Sequence, residues 1–213
     1  MLRKRHNRCK LHLLQKYCPT NSTLLDVGSG RGGDLHKWNT LRLKVVAVEP
    51  NMKLLQEATM RYTEMGKKRP RVQWMHGDSR TCTGEFDAVS YMFSLHWILE
   101  DQPRIQFQSA IARLKPGGVM FGTVPDGDRI REKVTSSCTE GEFQMVGDDR
   151  VQWRVQGPFY DDGWIEEPLL TKAHLEDMCH ENGCALEEWE EIGDESTLSY
   201  FYRKFAIRKR IPS

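Results

Sequence analysis

Residues 23–38 read TLLDVGSGRGGDLHKW. The first five form a short, largely apolar run typical of a β-strand, and the last five open a helix-like pattern. The glycines between them let the backbone turn tightly and approach a ligand closely. Gly28, Gly30 and Gly33 do not identify that ligand, because their spacing also satisfies the GxGxxG pattern of dinucleotide sites or a tight structural turn. The segment therefore predicts a ligand-binding loop between a strand and a helix.

The alternation of strand and helix patterns continues along the chain. Further strands are predicted at 45–48, 72–75, 86–90 and 119–124, and helices at 52–62, 101–114 and 169–181. Asp101 is expected to cap its helix, and Gly183 to end the last one. Two late strands, 185–189 and 200–206, are predicted to form a hairpin at the sheet edge. This β-α repetition predicts a parallel sheet with helices on both faces.

The overall composition favours one globular domain. The chain has 213 residues, of which 38% are hydrophobic and 29% charged. No apolar run approaches the roughly 20 residues that span a bilayer, and the N-terminus has no signal-peptide core. The net charge of +1 argues against a protein that coats duplex nucleic acid, although the first ten residues contain a basic cluster.

The cysteines show neither a disulfide spacing nor a metal-site spacing. There are six, scattered along the chain, which indicates reduced thiols in an intracellular compartment. The nearest approach to a metal cluster is His174, Cys179, His180 and Cys184, which lack the CxxC knuckles of a zinc site. We therefore expect no metal.

Three acidic residues lie at or just after the carboxyl ends of the predicted strands, where ligands of α/β sheets bind. Glu49 ends the second strand, where a carboxylate can accept both hydroxyls of a ribose. Asp78 follows the third strand and can accept a hydrogen bond from an adenine amino group, or cap a turn. Asp26, at the tip of the first strand, suits a ligand with an ammonium and a sulfonium group and would repel a pyrophosphate. This pattern favours S-adenosylmethionine over a dinucleotide and disfavours a dehydrogenase.

The order of these features resembles the layout of class I S-adenosylmethionine-dependent methyltransferases. Asp26 with the glycines is followed by Glu49, Asp78, the run 86–89 and the run 114–118. The resemblance implies a Rossmann-like α/β fold, with a mostly parallel seven-stranded sheet, helices on both faces and a C-terminal antiparallel hairpin. We expect a single methyltransferase domain over 1–213, without room for another domain, and an acceptor-facing insertion around 141–164.

A narrower resemblance, to the mRNA cap guanine-N7 methyltransferases, begins in the glycine loop. Residues 26–38 are similar to the corresponding loop of that family, which has Lys at Arg31 and usually Cys at Ser29. The family also has Asp at the position of Glu49. The departures at Arg31 and Glu49 preserve the charge.

The resemblance extends to the N-terminus and the second helix. Residues 6–10, HNRCK, match the family's Asn-Trp-Ile-Lys element. The likeness implies that Lys10 binds the carboxylate of the methyl donor and that Asn7 faces the cap phosphates. Arg61 matches an arginine that, together with Arg31, would hold the triphosphate bridge.

The family's Phe-x-x-His-Tyr motif has a counterpart after the fourth strand. Residues 90–97, SYMFSLHW, are similar to it, with Trp97 in place of Tyr. Phe93 and Trp97 offer flat faces on which a base can stack, although an aromatic run beside a strand is more often core. His96 offers a donor to a carbonyl oxygen of guanine.

The remaining acceptor contacts follow from the same likeness. It implies a guanine-binding carboxylate at Glu167, a tyrosine closing the pocket at Tyr202 and a proline beside the base at Pro125. The predicted donor-binding residues are Lys10, Asp26, Gly28, Gly30, Glu49, Asp78 and Ser94. The predicted acceptor-binding residues are Asn7, Arg31, Arg61, Phe93, His96, Trp97, Pro125, Glu167 and Tyr202. No side chain is expected to act as nucleophile or base; His96, Glu167 and Tyr202 are expected to orient the reactants.

The resemblance implies an S-adenosylmethionine-dependent enzyme that methylates guanine N7 of the GpppN cap on mRNA. Two alternatives stay open: a small-molecule methyltransferase on the same donor fold, and a non-catalytic module that binds capped RNA. Members of the family are stand-alone enzymes or the last domain of larger capping proteins, notably in large DNA viruses. The expected partners are therefore the capped 5′ end of mRNA, other capping domains or an activating subunit, and no membrane. The implied location is intracellular, cytoplasmic for a viral protein and nuclear for a cellular one.

Overall fold

The computed structural model describes residues 2–138, 140–155 and 163–211 and contains two β-sheets. The strands in chain order are β1 (Thr23–Val27), β2 (Lys44–Glu49), β3 (Arg71–His76), β4 (Phe86–Met92), β5 (Leu114–Pro125), β6 (Thr135–Cys138), β7 (Gly141–Val146), β8 (Arg150–Val155), β9 (Ile165–Pro168), β10 (Cys184–Glu191) and β11 (Tyr202–Lys209). The α-helices are α1 (Leu2–Tyr17), α2 (Leu35–Thr40), α3 (Met52–Glu64), α4 (Pro103–Ala112), α5 (Gly127–Lys133) and α6 (Lys172–Glu181). Short 3-10 helices span Gly66–Lys68, Leu95–Glu100 and Leu198–Phe201. Within the described ranges, no helix has both the length and the apolar character needed to cross a bilayer.

The main sheet has seven strands in the order β10-β11-β5-β4-β1-β2-β3. The pairs from β5 to β3 are parallel, and β11 is antiparallel to both β5 and β10. The seven-stranded, mostly parallel sheet and its C-terminal hairpin are therefore confirmed. The chain runs outward from β1 to β3 and then returns to the other side of β1 as β4. Ligands of such sheets bind at this reversal, outside the carboxyl ends of the strands.

Neighbouring residues of β1 face opposite sides of the main sheet. Leu24 packs with Leu13 of α1 and Trp38 of α2, whereas Leu25 packs with Phe107 of α4. Leu24 and Leu25 are fully buried, and each such side chain contributes about 2 kcal/mol of transfer free energy. Because side chains alternate along a strand, β1 supplies both hydrophobic layers and is held rigidly beneath its glycine loop.

The second sheet has the order β6-β7-β8-β9, and all its pairs are antiparallel. It covers much of the region 141–164 in which short strands or an insertion were predicted; of that region, residues 156–162 lie outside the described residues. Its inner face shares a hydrophobic cluster with Leu2 of α1 and Tyr202 of β11. The second sheet is therefore attached to the carboxyl edge of the main sheet.

Two predicted helix starts are corrected by the structure. Asp101 does not cap α4: Gln102 precedes the helix with φ 48, and Pro103 is the first helical residue. Proline suits that position because its fixed φ is helical and it lacks an N–H group. Leu114, predicted within this helix, instead begins β5.

The last predicted helix begins at Lys172 and not at residue 169. Thr171 caps it, because its hydroxyl accepts a hydrogen bond from the His174 amide at 3.1 Å. The helix ends at Glu181, and Gly183 follows in a left-handed conformation at φ +61, as predicted. The final strand likewise begins at Tyr202, because the preceding residues form a 3-10 turn.

The N-terminal helix α1 was not recognised from the sequence. Only Leu2, Leu13 and Leu14 are buried in it. With so few apolar positions the helical periodicity is weak, and tertiary packing stabilises the helix. It carries the basic cluster of the N-terminus and brings Asn7 and Lys10 to the carboxyl edge of the sheet.

Candidate functional site

The glycine loop after β1 bends tightly against the neighbouring strands. Gly28 and Gly30 have φ values of +75 and +55, in the left-handed region that favours glycine. A Cβ on Gly28 would lie 2.4 Å from the Cβ of Ser94. The Ser94 hydroxyl donates to the Val27 carbonyl at 2.6 Å. Glycine at position 28 therefore allows the segment after β4 to close against the loop.

Glu49 lies at the carboxyl end of β2, against the same loop. It is buried, and its two carboxylate oxygens accept hydrogen bonds from the Gly30 amide at 2.7 Å and the Asn51 amide at 2.9 Å. These bonds orient the carboxylate at the sheet edge. Its predicted contact with ribose hydroxyls stays a prediction.

Asp26 is buried at the tip of β1 and accepts a hydrogen bond from the Ser90 hydroxyl. Burial raises the pKa of the Asp26 carboxyl to about 7, and the negative charge of Asp34 adds to this effect. A nearby cation would lower that pKa again. The site therefore favours a positively charged ligand.

Asp78, which follows β3, is paired with the cationic side chain of Arg80. Its carboxylate accepts hydrogen bonds from the Arg80 amide at 2.8 Å and from the Arg80 guanidinium at 2.6 Å, and the same guanidinium pairs with Asp101. Partial burial alone would raise the pKa of Asp78, but the bonds from Arg80 hold it below its ordinary value. The carboxylate is thus ionised and able to accept further donors, as the predicted adenine contact requires.

One buried carboxylate that was missed in the sequence joins α1 to α2. Asp34 accepts from the Lys10 ammonium at 2.9 Å and from the Lys37 ammonium at 2.7 Å. Burial would raise the pKa of Asp34, but the two lysines hold it below its ordinary value. Lys37 also donates to the side-chain oxygen of Asn7 at 2.9 Å. Asp34 directly follows Gly32 and Gly33 of the glycine loop, and this position could have indicated in the sequence that it belongs to the site.

A cavity of about 550 Å³ opens between α1, the carboxyl edge of the main sheet and the second sheet. The predicted residues that line it are Asn7, Lys10, Arg31, Arg61, Phe93, His96, Glu167 and Tyr202. The other lining residues, which are not among the predicted donor-binding or acceptor-binding residues, are Leu2, Arg3, His6, Gly33, Met92, Trp153, Val155 and Ile165. The cavity thus brings together predicted acceptor residues from distant parts of the chain.

Two predicted base contacts do not line this cavity. Trp97 is 40% exposed, and its ring lies 5.4 Å from that of His96. Pro125 is buried at the end of β5, where it pairs with Tyr202 of β11. Each therefore adjoins a residue that lines the cavity, Trp97 beside His96 and Pro125 beside Tyr202.

Phe93 occupies a strained backbone position at the cavity. Its φ of +64 lies in the left-handed region, which costs a bulky residue about 1–3 kcal/mol. Its amide donates to the carbonyl and to the hydroxyl of Thr123, at 3.0 and 3.1 Å. The Phe93 ring centroid lies 5.3 Å from that of Tyr202, in an edge-to-face arrangement. Strain of this kind is typical of functional sites, and here it occurs at a residue that lines the cavity.

His6 lies against the same aromatic wall. Its ring centroid is 4.6 Å from that of Phe93, and its Nε2 is 3.0 Å from the Ser199 hydroxyl oxygen. Burial lowers the pKa of His6 to about 3, and the charges of Lys10 and Arg5 contribute. His6 is therefore neutral at physiological pH and adds a flat, uncharged ring to the wall.

Two polar side chains, His96 and Glu167, line the same cavity as the basic residues. His96 is 1% exposed, and its Nε2 lies 3.5 Å from Oε2 of Glu167. Among the described residues, neither ring nitrogen of His96 nor that Glu167 oxygen has a hydrogen-bond partner, and neither does the indole nitrogen of Trp153. Buried polar groups normally have partners. His96, Glu167 and Trp153 all line the cavity, so a polar ligand bound there could supply missing partners.

The basic wall of the cavity includes Arg31 and Arg61. The Arg61 guanidinium donates to the Arg31 carbonyl at 3.1 Å, and the Arg31 guanidinium lies 3.3 Å from Glu57. The contacts are solvent-exposed, so they leave both guanidinium groups accessible to an anion.

The fold is that of the class I S-adenosylmethionine-dependent methyltransferases. A solved S-adenosylmethionine-dependent methyltransferase from Clostridium acetobutylicum superposes with a TM-score of 0.71 at 16% sequence identity, covering 97% of this chain and 92% of that one. The chain belongs to the mRNA (guanine-N(7))-methyltransferase family, whose domain model matches residues 1–151.

Two relatives illustrate the similarity. The mRNA cap guanine-N(7) methyltransferase of Caenorhabditis elegans is 38% identical over 125 residues, which are 52% of this chain and 33% of the relative. That of Saccharomyces cerevisiae is 31% identical over 164 residues, 68% of this chain and 37% of the relative. The chain thus matches only about a third of the length of these curated relatives.

Proposed function

We propose that this chain transfers the methyl group of S-adenosylmethionine to N7 of the guanine in the GpppN cap of mRNA. One observation carries the proposal: a single cavity is lined by Arg31 and Arg61, by aromatic rings, and by the His96–Glu167 pair, whose buried polar atoms have no hydrogen-bond partner among the described residues. The cationic groups suit a triphosphate bridge. The polar and aromatic groups suit a purine base.

The residues at the carboxyl edge fit the methyl donor. S-adenosylmethionine carries a sulfonium and an ammonium, which the buried carboxylate of Asp26 would offset, and a ribose, from whose hydroxyls the buried carboxylate of Glu49 would accept hydrogen bonds. Lys10, at the cavity wall, would pair with the donor's carboxylate. Glycine at position 28 lets Ser94 pack against the loop, because a Cβ there would lie 2.4 Å from the Ser94 Cβ. When bound, S-adenosylmethionine supplies an electrophilic methyl group.

The protein would then orient and stabilise the reactants. N7 of guanine carries an in-plane lone pair and no proton, so no side chain has to remove one. Alignment of N7 with the methyl carbon makes the reaction effectively unimolecular, which in the best cases is worth about 7 kcal/mol or more. Positive charge develops on the purine during transfer. The Glu167 carboxylate would stabilise that charge, while His96 and Tyr202 hold the base.

The second sheet would act as an acceptor-facing insertion within a single methyltransferase domain. Glu167 of β9 and Trp153 of β8 both line the cavity, which supports this assignment. The capped 5′ end of mRNA would be the partner that enters between the second sheet and the main sheet.

The test is to offer methyl-labelled S-adenosylmethionine with GpppA, GpppG or GTP and to map the label on the product. We expect label on guanine N7 and a preference for acceptors with the triphosphate bridge. Donor binding together with methylation of an unrelated small molecule, but not of GpppA, would identify the chain as a small-molecule enzyme. Binding of capped RNA without affinity for S-adenosylmethionine would identify a non-catalytic module.

A further inference from the structure

Lys37 lies beside the cavity, and the proposed mechanism assigns it no role. It lies in α2, and its side chain is only 12% exposed. Its ammonium donates to Oδ1 of Asn7 at 2.9 Å and to Oδ1 of Asp34 at 2.7 Å. Asn7 lines the cavity, whereas Lys37 does not. The contact therefore connects a buried cation to one residue of the cavity wall.

This contact determines which end of the Asn7 amide is available to a ligand. An ammonium group has three N–H donors and no acceptor, so it can meet only the oxygen of the amide. The two N–H donors of Asn7 are then left for the cavity. Without Lys37, the amide could turn over and present its oxygen instead.

We infer that Lys37 is a positioning residue that holds Asn7 with its amide donors toward the phosphate bridge of a bound cap. The inference rests on the proposed function, under which a triphosphate bridge binds in the cavity. Phosphate oxygens only accept hydrogen bonds. An Asn7 oxygen turned toward them would repel the ligand, whereas the amide donors would form charge-assisted bonds. Lys37 would thus promote cap binding without touching the cap.

Lys37 can be replaced without leaving the buried Asp34 carboxylate unpaired. Its second carboxylate oxygen accepts from Lys10 at 2.9 Å, so the buried carboxylate keeps a cation when Lys37 is replaced. We therefore expect Lys37→Met to fold. Lys37→Arg provides a second variant, because a guanidinium group is also a donor without an acceptor.

The experiment is a double-mutant cycle on Asn7→Ala and Lys37→Met, with the affinity for GpppA measured by calorimetry. We expect Lys37→Met to weaken GpppA binding about tenfold, because the Asn7 amide would lose one hydrogen bond to a charged phosphate oxygen. In the Asn7→Ala background, Lys37→Met should cause no further loss. Lys37→Arg should restore most of the affinity, and the turnover of Lys37→Met at saturating GpppA should match that of the unaltered protein.

Lys44→Met is the matched control, because Lys44 is exposed at the amino edge of the sheet, at the start of β2. It should bind GpppA like the unaltered protein. The inference is overturned if Lys37→Met binds normally, or if its loss persists undiminished in the Asn7→Ala background, which would indicate a direct charge effect.

The unaltered protein separates the two claims. If it binds GpppA and the cycle is non-additive, but no methyl group is transferred, the positioning role is supported and the proposed activity is contradicted. If it does not bind GpppA at all, both are overturned.

Discussion

Nε2 of His96 lies 3.5 Å from Oε2 of Glu167, although one residue follows β4 of the main sheet and the other belongs to β9 of the second sheet. Both atoms are buried and without a hydrogen-bond partner among the described residues. An unmade hydrogen bond of this kind costs about 1–3 kcal/mol. A ligand that offers both donors and an acceptor to the pair, as guanine does, would recover that free energy.

We expect Glu167→Gln to reduce methylation of GpppA by about 100-fold or more, because it removes the negative charge that would face the developing purine cation. His96→Ala should also lose most activity. Both variants should bind S-adenosylmethionine normally in a calorimetric titration. Glu166→Gln is the matched control, since Glu166 pairs with Arg150 and does not line the cavity. Near-normal turnover in both Glu167→Gln and His96→Ala would reject the pocket assignment.

The affinity for S-adenosylmethionine should depend on the ionisation of Asp26. Burial raises the pKa of Asp26 to about 7, whereas a cationic ligand requires the ionised carboxylate. The affinity should therefore rise with pH and level off above about pH 7, with a slope of no more than about tenfold per pH unit. Calorimetry over this range is the measurement. A flat profile for the unaltered protein would contradict the role of Asp26.

The same pKa has an opposite consequence for stability. The folded protein keeps a proton on Asp26 at pH values where the unfolded chain, with an ordinary value of 3.8, has lost it. The contribution of Asp26 to the free energy of unfolding therefore falls as the pH rises from 3.8, the ordinary pKa, toward about 7, the pKa in the folded protein. Asp26→Asn should be more stable than the unaltered protein above pH 7 while binding S-adenosylmethionine poorly. Urea unfolding at acidic and alkaline pH checks the sign, and a less stable variant at alkaline pH would be the contrary result.

Two glycines of the loop should respond differently to alanine. Gly28 and Gly30 both have positive φ, which costs alanine about 1 kcal/mol in either position. An added Cβ meets the Ser94 Cβ at 2.4 Å at position 28 but has nothing within 4 Å at position 30. Gly28→Ala should therefore lose more stability in urea unfolding than Gly30→Ala, and more affinity for the methyl donor. Equal losses would show that the close approach of Ser94 is unimportant.

Arg31 and Arg61 should control the salt dependence of cap binding. Replacing either with Ala should weaken capped-RNA binding and lower the slope of log Kd against log salt by about one. Glu57→Gln should have the reverse effect, since it frees Arg31 from its ion pair. Arg71→Ala, at the exposed start of β3, is the control. Unchanged slopes in the Arg31 and Arg61 variants would exclude phosphate contacts.

Much of the methyl-donor site could be predicted from residues that are close together in the sequence. The strand Thr23–Val27, the glycine loop and the carboxylates of Glu49 and Asp78 follow one another in a pattern that repeats with each strand and helix. Errors occurred at element ends, as at Asp101, where the proline after it decided the helix start. The acceptor assignments depended on family resemblance, since no local pattern connects Glu167 with His96.

The sequence by itself determined the alternation of strands and helices from β1 to β5 and the tight glycine loop, because periodicity and backbone conformation depend on residues close together in the chain. Only the tertiary structure decided that Lys37 meets Asn7, that Asp34 joins two lysines and that His96 meets Glu167. Such contacts join residues from separate elements. Their existence depends on how whole helices and sheets pack, which the local pattern does not specify.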